Sequence, residues 1–164
     1  MSVLPTRSVA FDAEIDVAIV GGGACGLVAA LAAKDAGAEP VVFERDARPA
    51  GSTALSSGMV PASATAMQRK RGVEDSPALM AADIQRKAHG QNDQAMVDAV
   101  ARASGPTIDW LAARHNVGFE LVEGFLYPGH SVLRMHALPE RTGVALMGAL
   151  LNAVAAAGID IVAN

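Results

Sequence analysis

The stretch Asp16-Val-Ala-Ile-Val-Gly21-Gly-Gly23-Ala-Cys-Gly26 decides the fold of this chain. A short apolar segment runs directly into a glycine-rich turn, and an alanine-rich segment follows the turn. This order predicts a β-strand, a tight turn and an α-helix. It is the order that a βαβ dinucleotide-binding unit requires.

Each glycine of this turn has a geometric role in such a unit. Gly21 permits the tight turn, Gly23 lets the backbone approach a pyrophosphate without a Cβ in the way, and Gly26 lets the helix pack closely on the strand. The backbone N–H groups at the helix start, around Ala24 and Cys25, and the positive end of the helix dipole attract phosphate. A glycine turn that holds no ligand is the alternative.

A second strand and an acidic residue extend the pattern. The sequence predicts a helix over Cys25–Ala36 that ends at Gly37, a natural residue for the position after a helix. The apolar run Val41-Val42-Phe43 then leads to Glu44. A carboxylate at the tip of this strand can accept hydrogen bonds from both ribose hydroxyls of an adenosine and would repel a 2′-phosphate.

The composition limits the function classes. The chain has 164 residues, of which 51% are hydrophobic and 18% charged, which predicts a globular chain with a sizeable core. The net charge is −4, and the longest basic cluster, Arg69-Lys70-Arg71, is predicted to be a solvated loop. Neither feature supports nucleic-acid or anionic-membrane binding.

The cellular location is predicted from cysteine usage and hydropathy. The single cysteine, Cys25, cannot form an internal disulfide, which favours a reducing cytoplasm. Residues 1–14 are polar enough that we do not expect a signal peptide, and no apolar run reaches the length of a membrane span.

The segment after Glu44 is rich in small and hydroxyl side chains, from Ala50 to Met59. It has no helical or strand period, and Leu55 and Met59 are predicted to anchor it. A flexible surface linker is one interpretation. The other, which its position after the ribose-binding acid favours, is a loop that wraps the far end of a long dinucleotide.

These motifs resemble a known family. Val17-Ala-Ile-Val-Gly-Gly-Gly23, Phe43-Glu44-Arg45 and Gly51-Ser-Thr-Ala-Leu-Ser-Ser-Gly58 are similar to the N-terminal part of the fumarate reductase/succinate dehydrogenase flavoproteins. That family includes soluble fumarate reductases, L-aspartate oxidases and ketosteroid dehydrogenases. A further match is Gly129-His130-Ser131-Val-Leu-Arg134-Met-His136 followed by Arg141-Thr142-Gly143.

The resemblance implies FAD as the cofactor. The glycine turn would hold the pyrophosphate, Glu44 the adenosine ribose, and the loop would run along the pyrophosphate and flavin. Respiratory members attach FAD covalently through a histidine, where this chain has Ser52, so noncovalent FAD is expected. The cofactor-binding residues implied are Gly21, Gly23, Ala24, Cys25, Gly26, Glu44, Arg45, Gly51, Ser52, Thr53, Ser56, Ser57, Gly58 and Met59.

We therefore predict an α/β fold, a Rossmann-like FAD-binding βαβ unit with parallel strands, an inserted helical segment and an incomplete sheet. The chain, residues 1–164, is predicted to be a partial FAD-binding domain. It would comprise a βαβ unit (14–46), a flavin loop (47–62), a helical segment (63–116) and a strand-loop-helix-strand segment (117–164). The helical segment is predicted to contain three helices, broken at Ser104-Gly105-Pro106, and Ile159–Val162 is predicted to be a buried strand.

His130, Arg134 and His136 form another polar constellation. They either belong to a solvated loop, with His136 satisfied by nearby backbone, or support the flavin pocket. The string offers no carboxylate or thiol at a spacing suited to a metal. No catalytic residue and no metal ligand is assigned.

The function predicted is the FAD-binding portion of an oxidoreductase that transfers a hydride between flavin N5 and a small organic substrate. In the family, the groups that polarise the substrate and move its proton lie beyond the equivalent of Asn164. The alternatives are a stand-alone NAD or nucleotide-binding module and an inactive fragment. Self-association through an exposed strand edge is also expected.

Overall fold

A computed structural model describes residues 10–11 and 13–164. The expectation about a signal peptide in residues 1–14 falls mostly outside the described residues. The described residues up to Pro49, together with Val154–Asn164, form one compact unit, and Ala50–Ala153 form a second. The elements in chain order are β1 (Val17–Val20), α1 (Ala24–Asp35), β2 (Pro40–Glu44), α2 (Gly51–Ala54), β3 (Val60–Pro61), α3 (Ala66–Lys70), α4 (Pro77–Lys87), α5 (Gln94–His115), β4 (Glu120–Leu121), β5 (Met135–Ala137), α6 (Gly143–Ala156) and β6 (Asp160–Ala163).

The first unit contains the predicted βαβ arrangement. Its sheet is parallel, in the order β1-β2-β6, with Val20 opposite Phe43 and Phe43 opposite Val162. Helix α1 packs on β1 and β2 and buries Leu27 and Leu31. The order places the carboxyl ends of β1 and β2 side by side, which is where ligands bind in doubly wound folds.

The second unit combines a small antiparallel sheet with helices. Its strand order is β3-β5-β4. One apolar cluster joins α4 to α5 through Met80, Ala81, Val97 and Ala101. A second cluster lies on the sheet, where Met59 packs against Val122, Met135 and Ala137. Together with the parallel sheet of the first unit, these elements make the protein an α/β fold.

The predicted break at Ser104-Gly105-Pro106 is wrong, because α5 is continuous through it. An interior proline costs a helix about 3 kcal/mol. Beyond it, Ile108 and Leu111 are only 2% and 4% exposed, and burying each contributes about 1.5–3 kcal/mol. Burial therefore outweighs the proline, and the helix continues to His115.

Three other local expectations also need correction. The final strand is mostly exposed rather than buried, and only Ile159 immediately before it lies in the core. The segment from Gly51 contains a short helix, α2, where no period was visible. Arg69 and Lys70 form the exposed last turn of α3 instead of a loop.

Side-chain caps mark the starts of α4 and α6. Ser76 accepts a hydrogen bond from the Leu79 N–H at the start of α4, with a proline at its first position. Thr142 does the same for the Ala145 N–H in α6. Within residues 10–11 and 13–164, no helix combines the length and apolar character needed to cross a bilayer.

Candidate functional site

The glycine turn lies at the carboxyl end of β1, in the first unit. Gly21 has φ +103°, a conformation that side-chain-bearing residues rarely adopt, and its N–H donates to the Phe43 carbonyl at 2.8 Å. A Cβ on Gly26 would overlap the Gly21 carbonyl oxygen. These two glycines therefore have the predicted structural roles in closing the turn and packing the helix against it.

The start of α1 has no side-chain cap among the described residues. Gly23 occupies the N-cap position in an extended conformation. Ala24 and Cys25 form the first turn of the helix, with Cys25 exposed. The first N–H groups of a helix need external partners, and the positive end of the helix dipole favours a negative one.

Glu44 joins the end of β2 to the glycine turn. One carboxylate oxygen accepts from the Gly22 N–H at 2.6 Å and the other from the Asp46 N–H at 3.0 Å. These hydrogen bonds, that of Asp46 first, lower the pKa of Glu44. An ionised carboxylate can accept about four hydrogen bonds. Two acceptor positions thus remain for a diol, which fits an adenosine ribose.

The Arg45 side chain forms an ion pair with the adjacent Asp46. Its guanidinium pairs with the Asp46 carboxylate at 3.1 Å, on the protein surface. Arg45 thus follows Glu44 directly in the chain, but its positive charge is paired with the Asp46 carboxylate. Binding of the cofactor by Arg45 remains a prediction.

Gly51–Met59, the central part of the predicted flavin loop, lies in the second unit. Met59 packs on the small sheet as predicted, whereas Leu55 is 90% exposed and does not anchor the loop. Ser56 organises the loop, since its hydroxyl donates to the Thr53 carbonyl and accepts from the Gly58 N–H. Ser52 and Ser57 are exposed, and neither side-chain hydroxyl has a hydrogen-bond partner among the described residues.

Thr142 and Gly143 hold the flavin loop and were missed as site residues. The Gly143 N–H donates to the Ser56 carbonyl at 2.8 Å, and a Cβ on Gly143 would overlap the Thr53 carbonyl oxygen. A Cβ on Gly58 would likewise meet the Thr142 carbonyl. In the sequence, this Thr-Gly pair stands out only as part of the family match. A glycine immediately after a capping threonine was the available signal for such a close contact.

Arg134 does not belong to a solvated loop. Its buried guanidinium pairs with Asp75 through two hydrogen bonds of 2.8 Å and also with Asp83. Burial alone would raise the pKa of Asp83, but hydrogen bonds from Ser131 and Arg134 outweigh it and hold that pKa far below its usual value. This cluster ties α4 to the segment that precedes β5.

His136 is also buried, and its protonation state follows from its partners. Nδ1 lies 2.8 Å from the Arg134 carbonyl, which can only accept, so Nδ1 carries the proton. Nε2 lies 2.9 Å from the Thr65 hydroxyl and accepts from it. Burial lowers the pKa of His136, which keeps the ring neutral. Arg134 and His136 thus support the second unit from within.

A metal centre is not found in the part of the chain that the structure describes, where no three His, Cys, Asp or Glu side chains are grouped to hold an ion. The glycine turn with Glu44 offers backbone N–H groups and one carboxylate, and the flavin loop offers hydroxyls. Such donors suit a phosphate- and ribose-containing ligand better than a metal ion.

Two known proteins and one solved structure are similar to this chain. The fumarate reductase (cytochrome) of Shewanella frigidimarina is 33% identical over 130 residues, covering 79% of this chain and 22% of that protein. The urocanate reductase of Eggerthella lenta is 30% identical over 131 residues, covering 80% and 22%. The open conformation of a flavocytochrome c3 fumarate reductase superposes with a TM-score of 0.80 at 29% identity, covering 91% of this chain and 26% of that one.

The chain thus spans about a fifth of the length of these curated relatives. The family model described as FAD binding domain matches residues 16–164, which include the glycine turn, Glu44 and the flavin loop. The chain belongs to the FAD binding domain family.

Proposed function

We propose that this chain is the FAD-holding portion, a partial FAD-binding domain, of a flavin-dependent oxidoreductase. The enzyme would transfer a hydride between the cofactor and a small organic substrate. Its named relatives include fumarate and urocanate reductases. The subdivision into a βαβ unit (14–46), flavin loop (47–62), helical segment (63–116) and final segment (117–164) is part of the proposal.

The observation that carries the proposal is the geometry of Glu44. Its carboxylate is fixed by the Gly22 and Asp46 N–H groups and keeps acceptor positions for two hydroxyls. The glycine turn and the uncapped N-terminal end of α1 would face a pyrophosphate with backbone N–H groups and the positive end of the helix dipole. Ribose and pyrophosphate are adjacent in an adenine dinucleotide, so these neighbouring features support a ligand of that class.

The flavin loop would hold the rest of the cofactor without a covalent bond. We propose that Ser52 and Ser57 donate hydrogen bonds from their exposed hydroxyls, while Ser56 and Gly58 maintain the loop conformation. Ser52 stands where covalent members of the family carry histidine, and a serine hydroxyl does not form that linkage. We therefore propose that the chain binds FAD noncovalently.

FAD, when bound, supplies an acceptor or donor of hydride at N5. The described residues bind and orient it, and we assign none of them to proton transfer or to polarising the substrate. A general acid and an electrostatic stabiliser each contribute orders of magnitude in rate. We therefore expect the 164-residue chain loaded with FAD to show no steady-state reduction of fumarate. A cytoplasmic location, inferred from the single cysteine, is also part of the proposal.

Replacement of Gly23 by valine tests the binding mode. Its backbone, with φ −75° and ψ 178°, suits valine, so the fold should persist while the branched Cβ fills the pyrophosphate space. We expect FAD binding, followed by quenching of flavin fluorescence, to be abolished. Gly118→Val, at an exposed site where a Cβ meets nothing, is the matched control. Equal FAD affinity in Gly23→Val and the parent would remove the turn from the binding site.

Competition between nucleotides separates the alternatives. Titration of the same protein with FAD, NAD and ADP should rank FAD first if the flavin loop contributes contacts. A preference for NAD would favour a stand-alone nicotinamide-nucleotide module. If none of the three nucleotides binds, the hypothesis of an inactive fragment would be favoured.

A further inference from the structure

A cavity in the second unit lies apart from the glycine turn and the flavin loop in the sequence. It has a volume of about 280 Å³ and opens between the C-terminal half of α4 and the segment 127–130. This volume is close to the lower limit of small-molecule sites. The residues that define its chemistry are Ile84, Lys87, Ala88, Tyr127, Pro128 and His130.

One wall of this cavity carries a polar atom that lacks a hydrogen bond. Nδ1 of His130 is buried and has no partner among the described residues. A buried polar atom without a hydrogen bond is unfavourable, so such atoms normally find a partner in protein, water or ligand. Burial, together with the nearby Arg134 charge, lowers the pKa of His130 and favours a neutral ring that can donate or accept.

The other walls are flat and apolar. The Tyr127 and His130 rings lie 5.4 Å apart between centroids and are tilted by 44°. Phe125 supports Tyr127 from the side in an edge-to-face contact at 5.9 Å. Pro128, Ile84 and Ala88 supply the remaining apolar surface. A planar ring fits such walls better than a compact polar ion does.

Among the charged side chains that line the cavity, Lys87 is the one whose charge is not paired within the described residues. Asp83 is already engaged by Arg134, by the Arg86 guanidinium at 2.5 Å and by the Ser131 hydroxyl at 2.6 Å. Lys87 lays its aliphatic stem against Gly129, whose missing Cβ leaves room for it. Within the described part of the chain, the Lys87 ammonium has no carboxylate partner.

We propose that this cavity binds a small aromatic monoanion, such as an aromatic carboxylate. Its ring packs against Tyr127, Pro128 and Ile84. Its anionic end meets the Lys87 ammonium, and the unpaired Nδ1 of His130 donates a hydrogen bond to it. The site does not depend on FAD, so its test is independent of the proposed function.

The test uses the 164-residue chain without FAD at constant ionic strength. The His130 ring signal, assigned in ¹H–¹³C spectra by comparison with His130→Phe, is followed during titration with sodium benzoate. We expect a saturable shift with a Kd on the order of 1–10 mM, a value typical of so small a ligand. Acetate, which lacks the ring, and benzyl alcohol, which lacks the charge, should each bind more weakly.

Two substitutions distinguish the contacts, with affinity read from the Tyr127 ring signal. Lys87→Met keeps the stem and removes the charge, and should weaken benzoate about two- to fivefold, as for an exposed ion pair. His130→Phe keeps a ring and removes Nδ1, and should weaken it about two- to tenfold. Lys70→Met, an exposed lysine outside this cavity, is the control and should change nothing.

Three results would overturn the proposal. The first is that the His130 ring signal does not shift at benzoate concentrations up to about 50 mM, well above the expected Kd. The cavity would then hold water alone. The second is binding of acetate as tight as that of benzoate. The third is unchanged benzoate affinity in both Lys87→Met and His130→Phe.

Discussion

Glu44 has two tasks at the residue scale, since its carboxylate holds the glycine turn as well as facing a ligand. The sequence predicted only the second task, at the tip of a strand. The structure adds that the buried Gly22 N–H depends on the same side chain. A change at this position therefore affects both the conformation of the turn and the affinity for ribose.

We predict that Glu44→Gln weakens FAD binding by roughly ten- to a hundredfold, the range for losing a hydrogen bond to a charged group. An amide has one oxygen, so it can accept from only one of the two N–H groups and one hydroxyl. Isothermal titration would measure the change. Glu39→Gln is the matched control, because that exposed carboxylate pairs with Lys34 instead. Equal effects of the two substitutions would contradict a specific role for Glu44.

His136 makes the stability of the protein depend on pH. Its ordinary pKa is about 6.5, and burial lowers the pKa in the folded state. Below pH 6.5 the unfolded chain therefore binds more protons, and the free energy of unfolding decreases as pH falls, until the folded-state pKa is passed. His130, whose pKa is also lowered, changes stability in the same direction.

Urea unfolding at pH 7.5, 6.5 and 5.5 would measure this dependence. We expect stability to decrease towards pH 5.5 and His136→Gln to show a smaller decrease, at the cost of lower stability at pH 7.5. His89→Asn, an exposed position with φ +53° that asparagine tolerates, is the control and should retain the parent's dependence. A His136→Gln variant with the full dependence would assign it to other groups.

At the scale of the elements, two helical glycines look alike in sequence and differ in the structure. Gly105 in α5 is buried against the Ser63 backbone, and a Cβ there would overlap the Ser63 carbonyl oxygen. Gly148 in α6 has space for a Cβ. Gly105 therefore allows α5 to approach the loop that contains Ser63 closely. The sequence alone had favoured a helix break at Ser104-Gly105-Pro106.

Alanine at these two positions should have opposite effects. Gly105→Ala should lower the free energy of unfolding by about 1–3 kcal/mol through overpacking. Gly148→Ala should raise it by about 0.4–1 kcal/mol, because alanine reduces the entropy of the unfolded chain. Thermal and urea unfolding of each variant would measure both changes. A neutral Gly105→Ala would show that the Ser63 backbone can move away at little cost.

At the scale of the whole molecule, the parallel sheet leaves an apolar row in solvent. Val20, Phe43 and Val162 are paired across the strands, so their side chains point to the same face, with 89%, 39% and 51% of each exposed. Apolar side chains aligned on a sheet face are typical of a surface that another element or protein covers. We therefore propose that the isolated chain self-associates through this row.

The double substitution Val20→Thr and Val162→Thr should shift the protein towards monomer, because threonine keeps the strand preference and adds a hydroxyl. Sedimentation velocity over a range of protein concentrations would detect the change. Val144→Thr, on an exposed position of α6, is the matched control and should leave association unchanged. A monomer in the parent protein at every concentration would contradict the proposal.

The βαβ unit, its parallel strands and the glycine turn were predictable from the sequence, because they depend on local periodicity and glycine geometry. The tertiary structure decided the features that depend on distant partners. Helix α5 continues through Pro106 because buried side chains beyond it outweigh the proline. Arg134 and His136 are buried because Asp75, Asp83 and Thr65 supply their hydrogen bonds from other elements. The flavin loop keeps its shape because Gly143, more than eighty residues away, lets α6 begin against it. Such pairings depend on three-dimensional proximity and on the cost of burying unpaired polar groups, which a linear pattern does not contain.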